Sequence, residues 1–451
     1  MNSAQQCGLW PNEFGPTMSH MTKPLVPHLT TALKGPLPMV EGHLQERQTM
    51  IESWFRSRWR DHKEPFYTSV DVRNAGYKIA PVDTNLFPAG FNNLNPSFQP
   101  LCIQAVQRAI ERMDMQVDRI MIIPENHTRN RFYLENVATL QEIIEKAGFE
   151  VRIGSMLPDL VAPMDIELDS GRRLRLEPLL REHDKIHVAG FKPDLVVLNN
   201  DLSTGRPALL EGLTQRVTPP LHLGWSDRLK SSHFTHYKSV AEEFAKHVGL
   251  DPWLIDPLFR NCGEIDFMKK EGETCLVINT ERLLREIQKK YDEYEVKCKP
   301  FVMIKADAGT YGMGVMTVKS PDEITVLNRK QRTQMAKTKE GVKVTKVIIQ
   351  EGVYTHETWG DAALVAEPVV YLIGHSVVGG FYRVHSTRSA DENLNAPGMH
   401  FEPLAFDNCC ISPEKHLAAD ARPNRFYAYG VIGRLAMLAA SREMVGSVQA
   451  S

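Results

Sequence analysis

The stretch Lys299–Val318, KPFVMIKADAGTYGMGVMTV, narrows the possibilities for this chain most. An apolar run, Phe301 to Ile304, ends in Lys305. A loop from Ala306 to Gly314 follows, with glycines at 309, 312 and 314, and a β-branched segment then resumes. Strand, glycine-rich loop and strand is how a backbone closes over a polyphosphate. Glycine removes the Cβ that would keep N–H groups from the oxygens, and a lysine adds a point charge. A flexible turn after a core strand accounts for the same pattern. Two commoner nucleotide motifs are excluded. There is no Gly-Lys pair, hence no P-loop, and the loop leads into a strand rather than a helix, which fails the dinucleotide fingerprint.

A second informative stretch runs from Phe66 to Asn95. Tyr67 to Val72 reads as a strand carrying Asp71, Asn74-Ala75-Gly76 as a turn, and Tyr77 to Val82 as the return strand, ending in Asp83-Thr84-Asn85. Asp71, Asp83 and Asn85 would then offer three oxygen ligands on one sheet surface, the way a hard cation such as Mg²⁺ is held beside phosphate oxygens. The ordinary reading is that Asp and Asn here cap strand ends and form Asx turns. Asn92, Asn93 and Asn95 read either as such turns or as substrate hydrogen-bonding groups.

At 451 residues the chain has material for about two to three domains. Its 53 basic and 55 acidic side chains nearly cancel, and no basic run points to nucleic acid. The apolar runs are far shorter than a membrane span. Seven cysteines, an odd number, with no apolar secretory segment at the start, read as reduced thiols in the cytoplasm. Only Cys409 and Cys410 are adjacent, without histidines at metal spacing, which argues against zinc. Residues 1–24 lack periodicity and contain Met18 and Met21, so they read as an extension outside the fold.

The remaining chain divides into a helix and hairpin over 25–95, an alternating helix–strand region over 96–225, a nucleotide-binding region over 226–410, and a C-terminal tail and helix over 411–451. Helices are expected over Glu41–Asp61, Phe98–Met113, Asn130–Ala147, Glu281–Tyr291 and Asn424–Glu443. The alternation in the second region implies a mainly parallel sheet, whose strand C-termini face the ligand. Glu125, Asn126, His127 and Arg129, after the strand Arg119–Ile123, and Asn199 to Asp201 are therefore substrate candidates; a lone histidine such as His127 is more often structural. Arg228 and Lys230 stand just ahead of a helix and could reach phosphates. Asn328 to Lys343 reads as a mobile polar connection. Val347 to Tyr354 is a strand leaving into a turn, an exit that suits adenine through Gln350, Glu351 and Val353. Glu367 and Arg383 lie on the arms of a long hairpin turning at Gly374, and Asp391 to Met399 closes the region.

A phosphate-covering loop between two strands, with a lysine on the incoming one, resembles the ATP-grasp ligases. With PVDTNLFPAGFNNLNP, IPENHTRN, LNNDLS, IKADAGTYGMG, IIQEGVYT, EPVVY, VGGFYRVH and ENLNAPGMHF in order, the chain resembles the proteobacterial-type glutamate–cysteine ligase from about Pro24 to Phe406. The resemblance implies an α/β fold with α+β elements, an ATP-grasp region joined to an α/β substrate-binding domain, ATP and Mg²⁺ as cofactors, and glutamate and cysteine as substrates. Neither nucleic acid nor membrane is implied, and a homo-oligomer is compatible with it. ATP contacts are expected from Lys230, Lys305, Asp307, Gly309, Thr310, Tyr311, Gly312, Gly314, Gln350, Glu351 and Val353. Lys305 and Arg383 are expected to act in catalysis. Arg73, Asn92, Asn93, Glu125, Asn126, Arg129, Asn200, Asn393 and Asn395 are expected at the amino-acid side. ATP-grasp ligases generally carry their magnesium ligands on a late hairpin; here the fitting hairpin, with Asp71, Asp83 and Asn85, comes early, which implies circular permutation. The competing metal assignment is Asp391, Glu392 and Asn393. Another carboxylate–amine ligase would share every phosphate-site argument, and a nucleotide-binding regulatory protein would keep the glycine loop without needing the metal ligands.

Overall fold

In the computed structural model the described residues are 39–309, 314–336, 343–403 and 426–446, together with the backbone of the strand Leu29–Thr31. Three principal sheets organise them. A four-stranded antiparallel sheet runs in the order Phe259–Glu264, Lys346–Glu351, Val302–Ala306, Val315–Val318. The glycine-rich loop therefore joins two antiparallel neighbours, as its sequence indicates. A six-stranded sheet is parallel through Arg216–Thr218, Leu195–Asn199, Arg119–Pro124, Glu150–Ser155 and Arg173–Pro178, with Met164–Glu167 antiparallel at the edge. Its strands read as near-continuous apolar runs because both faces are buried, one under helices Gln99–Glu111 and Arg131–Lys146 and the other under a second cluster that includes Phe87, Phe191 and Leu223.

The seven-stranded antiparallel sheet contains the long hairpin, Leu364–Ile373 and Ser376–His385, and Met399–Pro403 beyond it. The early hairpin, Tyr67–Asn74 and Ile79–Asn85, joins this sheet by pairing Tyr67–Asp71 with Val369–Ile373. Successive side chains alternate between the faces. Val70 and Val72 enter the core shared with the last helix, while Asp71 and Arg73 face an open cleft. Asp83, expected just past its strand, lies within it.

Helix Phe426–Gly446 carries a single charge, Arg434, before Ser441, so most of its length suits the interior. Its residues Phe426 to Ala440 are all buried, and it packs on helix Lys230–Val248 and on both strands of the early hairpin. The expected C-terminal tail thus contributes a central helix. Other departures are local. The expected helix over 41–61 is two, Met39–Glu46 and Gln48–Asp61, and Glu281–Tyr291 extends to Glu273–Glu293. Within the expected connection 328–343, Arg329–Met335 is helical, because Asn328 and Gln331 form a reciprocal capping box. No described helix is long and apolar enough to cross a membrane.

Candidate active site

Residues of the four-stranded and seven-stranded sheets line a cleft of about 700 Å³. On the first side stands Lys305, whose Nζ donates to Gln350 Oε1 at 2.7 Å and to the Val82 carbonyl at 2.8 Å. Burial lowers its pKa to about 8, with Asp83 opposing the shift. Gly309 begins the glycine loop at the cleft, and Met303, Ala306 and Val315 give apolar lining, with Val353 at the exit of the neighbouring strand. Gln350 Nε2 is buried without a hydrogen-bond partner among the described residues.

The facing sheet supplies charge. Asp71 and Asp83 are cross-strand partners in the early hairpin. Directly opposed like charges repel, so such a pair needs cations around it. Lys230 Nζ lies 3.1 and 3.3 Å from the Asp83 carboxylate oxygens, and Arg383 Nη1 lies 2.8 Å from Asp71 Oδ2. Burial pushes Asp71 up, aided by Glu367 and Asp83 and opposed by Arg383. Burial acts the same way on Asp83, yet Lys230 and Lys305 outweigh it and hold that carboxyl at about 2. Glu367 sits between two arginines, accepting from Arg73 Nε at 2.8 Å and from Arg383 Nη1. Burial raises its pKa, but Arg73 and Arg383 prevail and hold it below the usual carboxylate range. Arg383 is pushed up: burial opposes its charge, and Asp71 and Glu367 favour it more. Its Nε is buried with no hydrogen-bond partner among the described residues.

The expected residues divide clearly. Asp71, Arg73, Asp83, Lys230, Lys305 and Gly309 line this cleft, as do Gln350, Glu351, Val353, Arg383, Asn393 and Asn395. Glu351 turns its carboxylate away into the interior, onto Lys78 Nζ at 2.6 Å and Trp253 Nε1 at 3.1 Å. Asp307 caps a helix: its carboxylate accepts from Ser231 N and Oγ at 2.8 and 2.7 Å. Gly314 opens the return strand with φ +65°, a left-handed conformation that suits glycine. Thr310, Tyr311 and Gly312 lie outside the described residues.

Asn85 is not brought to the cleft. Its Oδ1 accepts from Phe87 N at 2.9 Å, so the Asx-turn reading describes it. Asn92 and Asn93 occupy a 3-10 turn next to the sheet; Asn92 Oδ1 and Asn93 Nδ2 are buried without hydrogen-bond partners among the described residues. The chain passes close here, since a Cβ on Gly90 would lie 2.6 Å from the Tyr371 hydroxyl. Glu125, Asn126 and Arg129 follow the C-terminal end of a parallel strand, with Asn200 beside them donating to the Pro124 carbonyl at 3.3 Å. They do not line this cleft. His127 pairs with Glu125 at 2.6 Å, and His385 contacts the Pro397 carbonyl at 3.0 Å. Arg228 is buried on Glu443 and the Thr84 carbonyl. Both acids of the competing set are engaged by cations: Asp391 pairs with Lys319, just past the strand Val315–Val318, at 2.5 Å, and Glu392 with Arg388 of its own loop at 2.7 Å.

Glu367, missing from the expected site, is the functional candidate that sequence reading passed over. Its signal was the EPVVY run, with the glutamate two residues ahead of the pairing with the Asp71 strand. Among the described residues no three His, Cys, Asp or Glu side chains form a ready metal cluster. The donor set nevertheless suits a hard divalent cation: Asp71, Asp83 and Glu367 are oxygen donors on one surface, two of them directly opposed.

The sequence matches the glutamate-cysteine ligase family over residues 41–444. Among solved structures it is similar to a candidate gamma-glutamylcysteine synthetase from Methylobacillus flagellatus KT. Identity is 56%, the TM-score is 0.85, and the match covers 94% of this chain and 99% of that one. It is slightly similar to a glutathione synthetase-like effector from Globodera pallida (11% identity, TM-score 0.34, 81% and 79% covered). The same holds for D-alanyl-alanine synthetase A from Vibrio cholerae O1 biovar eltor (10% identity, TM-score 0.29, 67% and 77% covered). None of the curated proteins compared matches it.

Proposed function

The chain belongs to the glutamate-cysteine ligase family, and from that premise we propose how its cleft joins the γ-carboxylate of L-glutamate to the amine of L-cysteine at the expense of ATP. The observation that carries the reading is the opposed pair Asp71 and Asp83, set across one cleft from Lys305 and the first glycine of the loop. Such a site brings acidic ligands, a lysine and a closing loop to one polyphosphate.

A bare carboxylate is a poor electrophile, so an amide cannot form from it directly. The γ-carboxylate oxygen of glutamate attacks the γ-phosphorus of ATP, and the bond to the ADP oxygen breaks. The α-amine of cysteine then attacks the acyl carbon, phosphate leaves, and the nitrogen loses a proton. Attacking and attacked groups are both anionic in the first step. Each like-charge contact costs about 4 kcal/mol at an effective dielectric near 20. Lys305 and Lys230 offset part of that charge on the nucleotide side. Arg383 is placed to do so for the transferring phosphoryl group and the tetrahedral intermediate. Its unpartnered Nε is a donor waiting for an acceptor.

Mg²⁺ would be held by Asp71 and Asp83 with Glu367, and would supply the remaining neutralisation of the phosphate oxygens. Gln350, with its free amide N–H, and Val353 are placed for the adenine edge. Asn393 and Asn395 face the amino-acid side, and we keep Asn92, Asn93, Glu125, Asn126, Arg129 and Asn200 as a more distant part of it. We also infer that the early hairpin takes the place of the late metal-bearing hairpin of other ATP-grasp ligases, a circular permutation. The compartment implied for this chemistry, whose substrate and product both carry a free thiol, is the cytoplasm.

Trapping tests the acyl phosphate. With ATP, Mg²⁺, glutamate and hydroxylamine but no cysteine, γ-glutamyl hydroxamate and ADP should form together. ADP formation without hydroxamate would contradict the intermediate.

A further inference from the structure

Arg73 lines the amino-acid side of the cleft, yet most of its donors are already engaged. Nε donates to Glu367 Oε2 at 2.8 Å, and Nη1 to the carbonyls of Val353 and Ala390 at 3.1 and 3.3 Å. Nη2 donates to the Glu392 carbonyl at 2.5 Å. Of the five N–H donors of a guanidinium, four are thus used within the protein. The residue is only 5% exposed.

Two of these acceptors, Ala390 and Glu392, lie in the loop between Ser376–His385 and Met399–Pro403, immediately before Asn393 and Asn395. The bonds that shape this loop from within are local. Ser389 N donates to Glu392 Oε2 at 2.8 Å, and Asn395 N to Asn393 Oδ1 at 3.0 Å. They make its turns but do not orient it against the sheet. The buried Leu394 holds the loop down, though an apolar contact is non-directional. At the outer edge the Lys319–Asp391 pair has a lysine side chain 55% exposed, and exposed pairs contribute little. Thr355 N adds one bond to the Ala390 carbonyl at 3.1 Å. Arg73 is the buried, charged, multi-point attachment.

We propose that Arg73 is a positioning residue: it pins the Ala390–Glu392 backbone and so aims Asn393 and Asn395 at the amino acid, rather than binding a substrate carboxylate itself. The inference rests on the reading that those two asparagines face the amino-acid substrate. The planar fork matters, because a lysine at this position reaches Glu367 but cannot span the three carbonyls. Glu367, between Arg73 and Arg383, balances the charge of the attachment.

Arg73→Lys tests this, since it keeps a cation beside the buried Glu367. Should that variant not fold, Arg73→Met combined with Glu367→Gln removes both charges together. Two readouts are combined. Hydrogen exchange followed by mass spectrometry should quicken by about tenfold over residues 386–398, with Val302–Ala306 unchanged. Competition by 4-aminobutyrate, which is glutamate without its α-carboxylate, should weaken by the same factor as glutamate binding, within about twofold, as expected when the substitution and the missing group do not interact. The KM for ATP should move less than that for glutamate. Unchanged exchange, with the penalty falling on glutamate alone, would overturn the proposal and make Arg73 a carboxylate ligand. The exchange readout needs no turnover, so it stands apart from failure of the ligase reading, which would show as wild-type enzyme inactive on glutamate and cysteine.

Discussion

Lys305 is a cation below about pH 8 and neutral above it, because burial withholds the water that stabilises an ammonium. A nucleotide phosphate needs the charged form. The kcat/KM for ATP, which reports the free enzyme, should therefore fall as pH rises through about 8. In kcat the same limb should move to higher pH, because bound phosphates favour the ammonium. Lys305→Met should abolish the limb along with most of the activity. Asp83 shows the opposite balance: held at about 2, it stays ionised across any working pH. Asp83→Asn should abolish Mg²⁺-dependent turnover, measured as ADP release over a magnesium titration. Removing the transition-state donor Arg383, as Arg383→Met, should cost about 10²–10³ in kcat. At this scale the sequence was most legible where a residue's role follows from its strand register. The turn pairs Asn74 with Ile79 and Val72 with Pro81, and a register shift between Val72 and Asp71 then brings Asp83, rather than Val82, opposite Asp71. Asn85 shows the limit: Asp-x-Asn reads equally as ligand set or Asx turn, and the Phe87 amide decides it.

Among the elements, the loop Ser389–Asn395 and the last helix each make contacts that reach the strands of the cleft. Asp391 ties the loop to Lys319, just beyond the strand that follows the glycine loop, and Thr317 Oγ1 approaches the Asp391 carbonyl at 3.5 Å. Asp391→Asn should mainly raise the amino-acid KM while leaving the magnesium dependence intact. Equal loss of magnesium dependence in Asp391→Asn and Asp83→Asn would reject the metal placement. In the last helix, Glu443 accepts from Arg228 at 2.8 and 3.1 Å and contacts His233, all three buried. Arg228 in turn donates to the Thr84 carbonyl between Asp83 and Asn85. Glu443→Ala leaves a buried guanidinium uncompensated and should cost about 3–5 kcal/mol in denaturant unfolding. This dependence could not be read from the sequence. The expected C-terminal tail ends in a mostly apolar helix, and which surfaces such a helix joins is a property of tertiary packing.

Over the whole molecule, the three sheets follow from patterns that are local in sequence. The alternation of helices and apolar strands between 96 and 218 gives the parallel sheet, and the hairpins give the antiparallel ones. The pairing of Tyr67–Asp71 with Val369–Ile373 spans the chain, and no periodicity announces it. Family resemblance led only to the expectation that the early hairpin returns to the nucleotide site, and it did not specify this strand pairing. That pairing also sets Arg73 and Asp71 against Glu367 and Arg383, so the cleft is built from segments about 300 residues apart. The direct test of the account is ATP- and Mg²⁺-dependent phosphate release, with glutamate and cysteine supplied singly and together and the product analysed by mass spectrometry. Full release requiring both amino acids, with a γ-linked dipeptide formed one-for-one with ADP, is the predicted result. Tight ATP binding with no release for this pair would contradict it.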